Sequence, residues 1–271
     1  MAESQANGFA GWARRKLLAA GPTVLAVGLA LLAWEAVALS GWRPDYVLPG
    51  PRVVFAHLGE NLFTGEVWSA VAITMQRALI GYAIAIAIGT GLGLGLARLP
   101  VLRAAVGSLL SGLQTMPSVA WFPLAILLFQ LTESAIVFVV VLGAAPSITN
   151  GLLNSFDHVP PLLVRAGRVL GARGFGLYRH VILPAALPGY VGGLQQGWAF
   201  AWRSLMAGEL LVIVGHRPSL GVRLQFAREF SDAVALLSWM IVILVIGVVV
   251  DALVFGKIQA GLRHRRGLDR A

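Results

Sequence analysis

Six apolar runs dominate this chain, at residues 17–39, 78–97, 104–129, 134–149, 187–214 and 236–255. Most approach the roughly 20 residues that an α-helix needs to cross the hydrocarbon of a bilayer. Inside lipid, every backbone N–H and C=O must be bonded within the spanning structure, so open strands and irregular loops are excluded. The runs give six helical spans. The expected fold is an all-α integral membrane protein with six transmembrane helices. The second run has a helical lead-in from Glu66 that contains Arg77, the third is interrupted at Met116-Pro117, and the fourth is short and carries Pro146.

Composition agrees with the bilayer as solvent: 58% of residues are apolar and only 12% charged, against about a quarter charged in soluble domains. The formal charge of +9 does not point to nucleic acid, because the cations fall in the gaps between apolar runs, as orientation signals do. The absence of cysteine excludes thiolate chemistry and Cys-ligated metals. Lys16 and Lys257 are the only lysines and neither lies in a Gly-Lys-Ser/Thr loop, so ATP hydrolysis by a Walker A site is excluded. His57, His158, His180, His216 and His264 are scattered without metal-ligand spacing. Ser108, Ser111 and Ser155 lack a nucleophile-elbow setting. No catalytic residue, metal ligand or cofactor site is therefore assigned, and the chain is expected not to be an enzyme.

Arg and Lys bias orients the spans. With the N-terminus inside, Arg14, Arg15, Lys16, Arg98, Arg103, Arg165, Arg168, Arg173, Arg179, Lys257, Arg263, Arg265, Arg266 and Arg270 face the cytoplasm. Arg43, Arg52, Arg217, Arg223 and Arg228 fall outside, partly offset by Asp45, Glu60, Glu229 and Asp232. Both termini are then cytoplasmic in a multi-pass protein of the cell membrane. The first run exceeds a signal-peptide core in length and is read as an uncleaved span. The expected layout is a cytoplasmic tail at 1–16, a membrane domain at 17–256 and a second tail at 257–271, the two ends being loosely ordered. Leu48-Pro49-Gly50-Pro51 marks a non-helical connection.

Gly81, Ala85, Gly89, Gly93 and Ala97 recur every fourth residue, a flat stripe on which another helix backbone can seat closely. Its partner is either a helix of the same subunit or a helix of a second copy. Ionisable residues at membrane depth are Glu35, Arg77, Arg203, Glu209 and Asp251. Glu35, Arg77 and Asp251 sit near span ends, from which they are expected to snorkel. Arg203 and Glu209 lie deeper and, six residues apart, on different helix faces. Together with Gln195, and with Gln114, Pro117 and Ser118 at the break in the third run, they line a candidate translocation pathway or serve as packing contacts. The breaks at Pro117 and Pro146 face protein or a cavity, or are ordinary kinks.

The segment RAGRVLGARGFGLYRHVILP, residues 165–184, is polar, basic and punctuated by glycine between two apolar runs. Helical spacing at 162–170 gathers Leu162, Leu163 and Ala166, and Gly171 can end that helix in a left-handed conformation. A second helix at 175–182 joins Leu177, Tyr178 and Val181 and ends before Pro184. Two short helices meeting at a glycine form a compact elbow rimmed by Arg165, Arg168, Arg173 and Arg179, suited to pair with carboxylates of a cytoplasmic partner.

At this point the chain resembles the permease subunit of bacterial ABC importers, whose cytoplasmic loop reads Glu-Ala-Ala, three residues, Gly, nine residues, Ile, one residue, Leu-Pro. Here Arg165, Ala166, Gly167, Gly171, Val181, Leu183 and Pro184 fall on that spacing, with Arg165 in place of the acidic residue, Gly167 in place of the second alanine and Val181 in place of isoleucine. The sequences at 48–51, 76–82, 116–123 and 201–209 are similar to the nitrate/sulfonate/taurine/bicarbonate branch. The resemblance implies a six-span type I importer permease with an ATPase-coupling loop at 154–186 that uses Arg165, Ala166, Gly167, Arg168, Gly171, Tyr178, Val181, Leu183 and Pro184. It implies two copies of a cytoplasmic ATPase that carry the ATP and magnesium, a second permease copy forming a homodimer, and an extracytoplasmic solute-binding protein. The solute is a small anion, with Arg203 as a cationic lining residue. The alternative is a secondary transporter or channel that runs without ATP, although the inverted repeats of that design are not evident.

Overall fold

The computed structural model describes residues 2–215 and 217–265, with side chains from residue 21 onward except those of Pro100 and Arg265. His216, Arg266 and Arg270, and the side chains of Arg14, Arg15, Lys16 and Arg265, lie outside the described residues. Every regular element among the described residues is a helix, with no strand. They form two units by contact, one of residues up to Phe63 with Ala227–Ser238, the other of Thr64–Phe226 with Trp239 onward.

In the first unit, helix α1 spans Ala2–Leu39, so the segment expected as a loose tail is helical from Ala2. After the Pro/Gly turn comes α2, Pro51–Leu62, with proline in its first turn, where a missing N–H costs nothing. Periodicity did not reveal this helix. Trp34 Nε1 donates to the carbonyl of Pro49 at 3.1 Å, and the buried Ser238 hydroxyl reaches the carbonyl of Val54 at 3.3 Å.

The second unit carries α3, Gly65–Leu96; α4, Pro100–Thr115; a 3-10 turn at Ser118–Trp121 leading to α5, Phe122–Phe129; and α6, Glu133–Asp157. Then follow α7, Pro161–Val169; α8, Gly174–Leu177; a π turn at Tyr178–Ile182; and α9, Leu183–Leu211. Three more helices complete the chain: α10, Leu220–Glu229; α11, Ala233–Val250; and, after a π turn at Asp251–Gly256, α12, Lys257–Arg265.

Helix α6 is the hub. Ile136, Val139, Val140, Ala144 and Ile148 are fully buried on it, and it packs on both α3 and α9. The four-residue stripe of α3 seats within the chain. A Cβ placed on Gly89 would stand 2.8 Å from the carbonyl oxygen of Ala145, and one on Gly93 2.9 Å from a methyl of Leu152. Against α9, a Cβ on Gly193 would lie 2.7 Å from the Cα of Gly151. Glycine at these crossings lets backbones meet where a side chain would hold them apart, the attraction available between helices in lipid.

Two prolines behave differently. Pro117 forces Met116 into extended geometry (φ −72°, ψ 130°), and the α4 and α5 segments diverge by 103°. Pro146 does not break α6, which runs continuously through it, so the interruption expected there is absent. Thr149 Oγ1 lies 3.0 Å from the carbonyl of Gly89 and 2.9 Å from that of Ala145, holding the helix to α3 just past the proline.

Four helical stretches, Gly21–Leu39, Gly65–Leu96, Glu133–Asp157 and Ala233–His264, are long and apolar enough to cross a membrane, and the bent α4–α5 pair makes a fifth if it is one span. The expected count of six is therefore not reached by hydropathy. The missing one is α9, whose Gln195, Gln196, Arg203 and Glu209 lower its hydropathy. Its buried Gly193, Gly197, Trp198, Ala201 and Leu205 line a helix lodged among others, and such a helix does not have to be apolar all round.

Candidate functional site

Three features of the second unit carry chemistry. The first is the elbow between α6 and α9. Helix α7 ends in a Schellman motif: Gly171 sits at φ +87°, its N–H donates to the carbonyl of Arg168 at 3.0 Å, and that of Ala172 to the carbonyl of Gly167 at 2.9 Å. Gly167 is buried, and a Cβ there would meet Val181 Cγ2 at 2.8 Å and Leu177 Cδ1 at 3.1 Å. The glycine at this motif position thus lets α7 lie on the following turn. That turn does not stop before Pro184, as expected, but runs straight into α9. Pro184 has no N–H for the carbonyl one turn back; the spiral widens there, and Leu183 N–H bonds the carbonyl of Tyr178 instead. Leu183 and Pro184 are the first residues of α9, so α8, the π turn and α9 run on as one uninterrupted helical stretch, with α7 packed against its start.

The outer surface of the elbow combines charge with grease. Arg165, Arg168, Arg173 and Arg179 are exposed, and no ion pair joins any of them to the described residues. Beside them Val169 and Leu170 are each 87% exposed, Leu162 75% and Phe175 73%. Ala166 is also exposed; Tyr178 is half-exposed and Val181 half-buried.

The second feature is a hollow of about 510 Å³ among α4, α6 and α9. Gln114 and Ser111 line it from α4, Ser147, Asn150 and Asn154 from α6, and Gln196 from α9. Arg103 also reaches it, but its guanidinium is engaged by the Asp157 carboxylate through both terminal nitrogens. Ser147 is 2% exposed, and its hydroxyl has no hydrogen-bond partner among the described residues.

The third is a buried charge cluster. Arg77, expected at a span end reaching for water, is instead 4% exposed. Its Nε and Nη2 grip Glu133 at 2.6 and 2.7 Å, while Nη1 donates to Glu209 Oε1 at 2.9 Å. Glu209, fully enclosed, also accepts from Thr74 Oγ1 at 2.9 Å and from the backbone N–H of Gly221 at 3.0 Å. Thr74 Oγ1 in turn accepts the N–H of Leu220 at 3.0 Å. Arg77 thus ties α3, α6 and α9 together, and Glu209 and Thr74 extend the cluster to the start of α10, with each carboxylate hydrogen-bonded, as a buried charge requires.

The residues grouped by sequence as one pathway therefore occupy different places. Gln114 lines the hollow. Pro117 makes the bend, and Ser118 accepts a hydrogen bond from Ser204 at 2.8 Å. Gln195 donates to Asp251 at 2.8 Å and accepts from Gln259 at 2.6 Å, bracing α9 against the last span; Asp251 is thus a bonded partner within the helix bundle. Glu209 belongs to the charge cluster. Arg203 is exposed, back-bonded to the carbonyl of Ala199 at 3.1 Å, with its guanidinium 4.6 Å from the Phe200 ring centre. Ser147 and Asn150 lie just past Pro146, where the sequence expects polar side chains to face protein or a cavity, and both line the hollow; sequence reasoning missed Asn154, although its four-residue spacing from Asn150 puts it on the same helix face.

A helical membrane bundle with an exposed basic elbow and a polar hollow defines a transport protein of the membrane-permease class. The chain belongs to the family described as "Binding-protein-dependent transport system inner membrane component", whose model matches residues 83–258; it is a permease of the ABC transporter type. It is 33% identical over 217 residues to the aliphatic sulfonates transport permease protein SsuC of Escherichia coli (strain K12), covering 80% of this chain and 81% of that one. It is 35% identical over 205 residues to the riboflavin transport system permease protein RibX of Chloroflexus aurantiacus, covering 75% of each chain. The taurine transport system permease protein TauC of Escherichia coli (strain K12) is 24% identical, covering 86% of this chain and 82% of that one. In fold it is similar to a chain of the MetNI methionine ABC transporter in an inward-facing conformation, with TM-score 0.56 and 23% identity over 74% of this chain and 96% of that one.

Proposed function

We propose that this chain is the permease subunit of an ABC importer for a small sulfonate-class anion, driven by a separate ATPase that docks on the elbow at 154–186. The observation that carries the reading is the elbow surface, where four exposed arginines stand beside exposed Leu162, Val169, Leu170 and Phe175. Exposed apolar side chains rimmed by unpaired cations suit a partner with an apolar cleft and an acidic border. Because the turn after the elbow continues into α9, a displacement imposed there moves α9 as a lever. Rigid elements of this kind transmit a two-state switch where a slack loop would absorb it.

On this reading the permease pairs with a second copy of itself, two ATPase subunits hold ATP and magnesium, and an extracytoplasmic binding protein delivers the solute. Both termini and the elbow face the cytoplasm of a cell membrane. The relatives named for aliphatic sulfonates and taurine support this solute class. The test is co-expression with a P-loop ATPase encoded in the same operon. The wild-type permease is expected to co-purify with it and to support growth of a deletion strain on a sulfonate as sole sulfur source. Phe175→Asp together with Leu170→Asp is expected to abolish both while leaving the protein in the membrane. Retained co-purification by that variant would refute elbow docking. Labelling of a Val169→Cys variant by an impermeant thiol reagent from outside intact cells would refute the orientation.

A further inference from the structure

Every charge at the hollow of α4, α6 and α9 is already matched, yet its walls are polar. Its one cation, Arg103, is clamped by Asp157, and the remaining polar lining consists of two hydroxyls and four carboxamides. Gly107 adds room, since a Cβ there would meet nothing within 4 Å. On its inner wall the Ser147 hydroxyl is almost fully buried without a partner among the described residues. A buried polar group without a partner costs free energy, and groups of this kind in native proteins call for an explanation. Two residues on and about 200° round α6, Thr149 bonds the carbonyl of Ala145 on its own helix and that of Gly89 on α3, whereas Ser147 bonds neither.

We infer that this hollow is a transit site in which the oxygens of the sulfonate group accept hydrogen bonds from Ser147 and the surrounding carboxamides, with no ion pair to the solute. The inference rests on the importer reading above and assigns the contact to residues of α4, α6 and α9, in place of Arg203. Neutral donors suit a passage: a solute must bind well enough to enter and weakly enough to leave, and an uncompensated guanidinium in low dielectric would hold an anion too long. Asn150, Asn154 and Gln196 can each turn two N–H donors toward one tetrahedral group.

The experiment uses the complete importer in cells, with permease, ATPase and binding protein, and radiolabelled taurine or ethanesulfonate. Ser147→Ala is the informative change because it removes an unpartnered hydroxyl and leaves packing intact. The loss of one neutral hydrogen bond to the solute is expected to lower the saturating uptake rate about fivefold, with ATPase co-purification unchanged and the melting temperature equal or raised. Gln196→Met, from the opposite wall, is expected to act in the same direction, and riboflavin offered as a solute without a sulfonate is expected not to be imported. Wild-type uptake by both variants would overturn the assignment and leave the hollow a hydration site only. Import of riboflavin but not of either sulfonate would overturn the solute chemistry. A wild-type importer that moves nothing in an ATPase-dependent way would instead sink the importer reading itself.

Discussion

Arg77 Nη1 donates to Glu209 Oε1 at 2.9 Å, and the carboxylate that receives it is fully shielded from solvent. The pair joins residues that lie in separate helices and ties the bundle to the backbone of Gly221. Breaking a buried pair from one side leaves an uncompensated charge, which costs about 3–5 kcal/mol. Arg77→Met is therefore expected to be the most damaging single change in the cluster, because it strands Glu209 and deprives Glu133. Glu209→Gln is expected to cost less, since Arg77 keeps Glu133 at 2.6 Å. Thermal unfolding of the detergent-solubilised protein gives the order; the reverse order would show that Arg77 is not the hub.

The α3–α6 crossing gives a second test. Gly89→Ala puts a methyl 2.8 Å from the carbonyl oxygen of Ala145, whereas Gly91→Ala meets nothing within 4 Å. Overpacking a close crossing costs about 1–3 kcal/mol, so Gly89→Ala is expected to lower the melting temperature while Gly91→Ala leaves it unchanged or slightly higher. Equal effects would mean that the stripe does not seat on α6.

At the elbow, Gly171 holds φ +87° and its N–H is bonded. An L-residue there is strained by about 1–2 kcal/mol, and proline cannot adopt the angle or supply the hydrogen bond. Gly171→Ala is expected to reduce uptake in part. Gly171→Pro is expected to abolish uptake while ATP is still hydrolysed. Normal transport by Gly171→Pro would retire the lever.

Gly167 offers an independent check on the same lever. A side chain there collides with Val181 and Leu177, so Gly167→Leu is expected to pry α7 from the turn and to weaken co-purification with the ATPase. Adding Val181→Ala is expected to recover part of the loss. Val169→Ser, on the exposed face, is expected to weaken docking without lowering the melting temperature.

Arg203 supplies the contrast. Its guanidinium lies over Phe200 and bonds its own helix, outside the hollow lining. Arg203→Gln is expected to change sulfonate uptake by less than about twofold, within the scatter of exposed single changes. A large loss would return the pathway to that face of α9.

What the sequence determined by itself was local. The runs at 78–97 and 236–255 announce spans because hydrocarbon demands continuous apolar helix, and α3 begins where Glu66 leads in. Gly171 is legible as a helix stop because only glycine takes its angle without strain. The family is legible in the spacing of Arg165 to Pro184. The four-residue stripe of α3 announces a close crossing, but only the fold shows that α6 fills it. What tertiary structure alone decided is which polar groups meet. Arg77 looked like a snorkelling cation because its distance from a span end is a one-dimensional fact, whereas its partners are 56 and 132 residues away. Pro146 looked like a break because its missing hydrogen bond is local, whereas α6 runs on through it and is bonded to α3 just beyond, at Thr149. Gln195 and Gln196 are neighbours of identical chemistry, yet one braces the last span and the other faces the hollow. A rotation of about 100° between successive helical residues separates those two roles, and only the packed neighbours of α9 reveal which side is which.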